Sequence, residues 1–202
     1  MSEPASTARA LAAAWHLLLR RPDAIREYDN SVSGFWHSFL ALPIALAVRL
    51  ALEFGHRSSG RLFPGEPVES GETAVALSVP AFTVVVTVTW LAFPIAMVFI
   101  ARLMGLTRRY VIFIIAHNWG SLLAVVAAAV PLAAYLVLGF DIRLLVLLLI
   151  PLGIAQIYYM WIIASDGLSA NMWTAAAVVA FEFLLSGLII LTLTELVAPR
   201  TA

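Results

Sequence analysis

The residues of this chain that could do chemistry stand inside long apolar runs. Arg49 and Glu53 interrupt 35–54, His117 and Asn118 sit in 110–138, Gln156 lies in 142–164, and Glu182 falls near the middle of 172–197. An ionisable group in hydrocarbon costs several kcal/mol unless it is paired or hydrated, so each asks for a partner. A carboxylate, a guanidinium and an imidazole at matched depth could relay a proton or an ion. Amides and imidazoles in such places also hydrogen-bond neighbouring helices.

At about 1.5 Å per helical residue, Glu182 lies about 18 Å from Ala170 and Arg49 about 21 Å from Phe35. The depths match and predict a Glu182–Arg49 pair. Glu53, one turn beyond Arg49, is the competing partner through an i, i+4 contact. In that case Arg49 reaches outward along its stem and Glu182 is either protonated or bonded to another helix. His117, about 10 Å from Tyr110, and Gln156, about 12 Å from Ala164, set a second polar level with Asn118. The six residues form either an intramembrane relay or a set of interhelical hydrogen bonds.

Other chemistry is thin. The chain has no paired His–Glu helical motif, Gly-rich phosphate loop or Ser nucleophile elbow. His16, His37, His56 and His117 share no metal-ligand spacing. No catalytic, cofactor or metal site is expected, and the protein is read as no enzyme. With no Cys there are no disulfides or thiolate sites. Twelve Arg, with no Lys, balance twelve Asp plus Glu. That neutrality argues against nucleic acid as a partner, since displacing its counterions needs a basic face.

The elements that must position these residues follow from composition. The 202-residue chain is 62% hydrophobic and 12% charged, half the charge of an average soluble domain. A single soluble fold of this size could not hide so much apolar surface. The expected fold is all-α: a polytopic integral membrane protein, one domain, with the bilayer as its first partner. Five runs are long enough to cross a core of about 30 Å: 35–54, 79–103, 110–138, 142–164 and 172–197, within a domain covering 35–198. Gly105, the Gly139–Asp141 stretch and Asp166-Gly167 mark breaks. Pro80, Pro94, Pro131 and Pro151 predict kinks. Residues 1–34 read as a cytoplasmic amphipathic lead-in with Leu11, Trp15, Leu18 and Leu19 on one face. It either lies in the interface or packs under the bundle. Pro22 opens a second short helix over Asp23–Tyr28. No small-residue cleavage site follows the first apolar run, so it is read as retained. Residues 55–78 form an extracytoplasmic loop of turn residues. With the N-terminus inside, seven Arg fall on inner segments and four outside. This predicts an N-in, C-out topology, of the kind found in a bacterial cytoplasmic membrane.

Three stretches carry a family resemblance: Leu19-Arg-Arg-Pro22-Asp-Ala-Ile-Arg-Glu-Tyr28, Ala101-Arg-Leu-Met-Gly105-Leu-Thr-Arg-Arg-Tyr110, and Tyr158-Tyr-Met-Trp161 with Ser165-Asp-Gly-Leu-Ser169. In these the chain resembles the YIP family, the Ypt/Rab-interacting five-span membrane proteins and their bacterial relatives. The resemblance implies a cytoplasmic N-terminus, five helices and no catalysis. It implies a protein that organises membrane or partner proteins, and the expected partner besides lipid is either another membrane protein or a second copy in a homo-oligomer. The acidic, aromatic cytosolic stretch of the eukaryotic members has no counterpart here, so GTPase binding is not implied. The alternative reading is a small-solute or proton-coupled transporter, or a subunit of one, using Glu182, Arg49 and His117. A polar cavity shared by those residues would favour transport; a dry, packed pair would favour the organiser.

Overall fold

The computed structural model describes residues 7–60 and 77–197. Among them the fold is helical throughout: α1 (Thr7–Leu18), a 3-10 turn (Ala24–Glu27), α2 (Val32–Ser38), α3 (Ala41–Ser59), α4 (Val79–Leu103), α5 (Thr107–Leu138), α6 (Ile142–Leu168) and α7 (Met172–Val197). Five helical stretches are long and apolar enough to span a bilayer, the first being α2 and α3 together, and the protein is membrane-embedded. Most of the expected 55–78 loop, with Arg61, Glu66, Glu69 and Glu72, lies outside the described residues. So do residues 1–6, residue 198 and Arg200.

α5 is the axis of the bundle, packed against α3, α4 and α6, while α7 closes the ring between α4 and α6. The end that carries α1 is called basal here, and the end carrying Gly60, Leu77 and Gly139 distal. The bundle is dense in its basal half. Ile112 to Gly120 of α5 are buried on every side, with Tyr159, Met160 and Ile162 to Ala164 of α6 and Phe93 and Met97 of α4. Lipid supplies no hydrophobic drive for helices to associate, so close backbone approach must hold them. A Cβ on Gly120 would meet the Ile163 side chain at 2.4 Å, and one on Gly167 would meet the Phe113 backbone at 3.1 Å. Gly167 therefore serves packing rather than a break. α6 runs on through Leu168 and ends only at Ser169, whose φ is +50°. Gly105 and Gly139, with φ of +68° and +69°, do end their helices.

The first span is not one helix. α2 stops at Ser38 and α3 starts at Ala41, with i→i+3 bonds from Leu40 to His37 and from Leu42 to Phe39. Pro43 explains the break, because it lacks an amide hydrogen and its ring crowds the carbonyl of Phe39, four residues back. Sequence reading assigned kinks to four other prolines. Of these Pro80 sits in the first turn of α4, where no helical hydrogen bond is lost, while Pro94, Pro131 and Pro151 lie inside helices. α3 also continues through Ser59, so Arg57 to Ser59 belong to a helix, not to a turn.

In the lead-in, α1 packs against α5 and α6. Its buried face is Ala13, Ala14 and Leu17, while Trp15 and Leu19 are half exposed. Small residues won that face because they let two backbones approach. The Tyr159 hydroxyl donates to the Ala14 carbonyl at 2.7 Å, about 14 Å along α6 from its basal end. Arg20 pairs with Asp166 at 3.3 Å and His16 with Glu27 at 2.7 Å. The helix expected over Asp23–Tyr28 is one 3-10 turn, begun by Asp23 at φ +60°. Tyr28 is buried after it, and burial, followed by the neighbouring Tyr159 hydroxyl, holds its phenol well above the ordinary tyrosine range.

Candidate functional site

In the distal half the helices part. Between α3, α4, α5, α6 and α7 lies a cleft of about 580 Å³. Its ionisable lining groups are Arg49, His117 and Glu182. Its further polar lining includes Thr89, Ser121, Gln156, Ser186 and Thr194, set in walls of Phe82, Val85, Val125 and Ile190. From Glu182 to Thr194 along α7 the cleft runs about 18 Å.

His117 and Glu182 face each other near one end of this cleft. His117 Nε2 stands 3.7 Å from Glu182 Oε1, with side-chain exposures of 6% and 20%. That is longer than a direct hydrogen bond but within reach of one bridging water or a small rotation. Beneath the pair, three rings pack together. Phe93 lies 4.6 Å from the His117 ring, 6.1 Å from Phe113 and 6.4 Å from Phe181, measured between centroids. Phe93 and Phe113 are each only 2% exposed. The polar cleft thus ends on an acid–imidazole pair backed by an aromatic plug.

Arg49 does not pair with Glu182. Both line the cleft, yet among the described residues no ion pair joins them, and Arg49 makes no hydrogen bond. The helix register gives the reason. Ser38 lies beside Asn118, and Gly55 approaches Leu136. Arg49 therefore stands about 16 Å distal to the His117 level. Taking Phe35 as the basal boundary misplaced it, because α2 enters the bundle already alongside the middle of α5. Glu53 is no partner for Arg49 either. It binds Arg57, with Oε1 2.8 Å from Nε, and Arg57 also donates to the Leu77 carbonyl near the distal end of the cleft.

The second polar level separates as well. Asn118 turns away from the cleft: its amide nitrogen donates to Ser38 Oγ at 2.9 Å, and its oxygen accepts from Trp90 Nε1 at 3.3 Å. The Ser38 hydroxyl in turn donates to the Phe35 carbonyl at 2.7 Å. That network ties α2, α4 and α5, so Asn118 is interhelical bonding and no part of a relay. Gln156 lies on the cleft wall, about 10 Å distal to His117, with no hydrogen bond among the described residues. Ser121 and Ser186, missed in the sequence, share that wall and likewise make none. The Thr89 hydroxyl is buried without a partner. Only their positions on cleft-facing sides of three helices could have identified them, and that needs the packing. Among the described residues no group of His, Asp and Glu could hold a metal ion.

Set beside known proteins, the chain matches no family model, no curated protein and no solved structure.

Proposed function

We propose that this protein is a proton-coupled transporter of small solutes, or the membrane subunit of one, acting without covalent catalysis. The observation that carries this reading is the cleft itself. Arg49, His117 and Glu182 all line one largely apolar cavity that carries a few polar groups, rather than forming a dry, packed pair. A buried polar group without a partner is costly, and the Thr89 hydroxyl is one; with the part-buried Ser121 and Ser186 and the exposed Gln156 it supplies what water or a polar solute would bind. His117 and Glu182 together can hold and release a proton at the end of the cleft. The plug of Phe93, Phe113 and Phe181 then separates that site from the basal side, as apolar constrictions do in pores.

The test is proton uptake into proteoliposomes under an imposed pH gradient, with a mixture of small carboxylates, amines and polyols outside. Wild-type protein is expected to acidify the lumen faster than protein-free vesicles, and Glu182→Gln to fall to their rate. Equal rates for wild type and Glu182→Gln would end the reading.

A second reading, the membrane organiser that the YIP resemblance implies, is favoured by one observation. Trp36 and Trp173 are 67% and 77% exposed, surfaces suited to lipid headgroups or a partner helix. In that case the cleft is a lipid-filled gap and proton uptake does not occur.

A further inference from the structure

We infer that the solute is a small monocarboxylate, gathered by Arg49, protonated at Glu182, and passed over the aromatic plug as the neutral acid. This deepens the transport reading and rests on it.

Three observations fix the chemical class. The first is the place of Arg49. Among the described residues it is the single cation lining the cleft and has no ion-pair partner, and it stands about 16 Å distal to the acid–imidazole pair. A cation at that position draws anions in and repels cations, most strongly between low-dielectric walls. The second is the separation of the charges. The carboxylate and ammonium of an α-amino acid lie only a few ångströms apart and cannot span Arg49 and Glu182 together. A zwitterion gains nothing from the arrangement, whereas a carboxylate can use the two sites in succession. The third is the floor. Glu182 and His117 end the polar path, and Phe93, Phe113 and Phe181 continue it with hydrocarbon. An anion faces a prohibitive desolvation cost there, while a small neutral acid does not.

The step balances as a proton transfer. The solute carboxylate takes the proton of the Glu182 carboxylic acid, giving the neutral acid and the Glu182 carboxylate. Glu182 then recovers a proton from water in the cleft, with His117 Nε2 as its neighbour. Among the described residues the other charged group on the cleft walls is Arg49 of α3, about 16 Å away, while α4 offers Thr89, α6 Gln156 and α5 Ser121. One proton moves with each carboxylate, and no net charge crosses.

The experiment uses the full chain in proteoliposomes with a lumenal pH dye. Lactate, alanine, glycerol and ethanolamine are added separately at a pH where lactate is ionised. Lactate is expected to acidify the lumen about tenfold faster than in protein-free vesicles, a factor typical of electrostatic gathering. Radiolabelled uptake of alanine, glycerol and ethanolamine should match protein-free controls. Arg49→Gln should raise the KM for lactate about tenfold with kcat nearly kept, and the effect should shrink at high salt. Arg49→Lys should restore the KM, and Glu53→Gln, on the same helix and paired to Arg57, should leave transport unchanged. Any of the other three solutes moving as fast as lactate overturns the substrate class and leaves transport standing. Proton uptake that lactate does not accelerate does the same. Lactate transport indifferent to both Arg49 variants overturns the role of Arg49. Failure of lactate and of the solute mixture to drive proton uptake together removes the transport reading itself.

Discussion

Asn118 and His117 are adjacent in the chain and do different work, because 100° of helical rotation points one at Ser38 and Trp90 and the other at Glu182. Their types announce that each needs a partner, since neither can be left bare in hydrocarbon. Which partner is chosen depends on the rotation of α5 against its five neighbours α1, α2, α3, α4 and α6. Replacing Asn118 by Ala should lower the stability of the detergent-solubilised protein by about 1–2 kcal/mol, the range for interhelical hydrogen bonds in membranes. Thermal melts monitored by circular dichroism would read this, and Ser38→Ala should give a smaller loss in the same direction. The Arg49–Glu182 pair shows where residue counting stops. Each depth was computed from the end of its own helix, and only the relative slide of the helices decides whether two depths coincide.

The helices themselves were largely written in the hydropathy, with their ends marked by Gly105 and Gly139. The exceptions are informative. Pro43 splits the first span because it removes a donor one turn beyond Phe39, and that split lets Ser38 meet Asn118. Asp166-Gly167 reads as a stop signal but lies within α6, since Gly167 is spent on contact with Phe113. Gly120 serves the same purpose against Tyr159 and Ile163. Gly120→Val should therefore cost about 1–3 kcal/mol through overpacking and loosen the α5–α6 contact. Gly153→Val, on the same helix pair where an added Cβ meets nothing within 4 Å, should leave the melting temperature almost unchanged. Equal losses at both positions would mean that helix propensity, not close packing, controls these sites.

On the scale of the whole molecule, the bundle is tight at its basal end and parted at its distal end. The cleft exists because α4, α5, α6 and α7 diverge beyond the Phe93–Phe113–Phe181 cluster. The absence of cysteine makes this simple to check. Ser186→Cys, on the cleft wall, should react with a membrane-impermeant maleimide, and Leu184→Cys, on the exposed apolar surface of α7, should not. Labelling in intact cells against inverted vesicles then reports which side the cleft opens to. A cleft open on the face opposite the N-terminus is expected from the arginine bias. Reaction of neither cysteine would mean a dry cleft.

Composition and hydropathic runs determined by themselves that the chain spans a membrane with five helical stretches. They did so because burying this much apolar surface and satisfying every backbone polar group in lipid leaves only helices of that length. They also singled out His117, Asn118, Gln156, Glu182 and Arg49 as groups needing an explanation. Only the tertiary structure decided the pairings: His117 with Glu182, Glu53 with Arg57, Asn118 with Ser38 and Trp90, and Arg49 alone near the far end of the cleft. The reason is that helix rotation and axial slide are set by side-chain packing between helices. Small residues such as Ala14, Gly120 and Gly167 settle that packing, and no single helix's sequence encodes it.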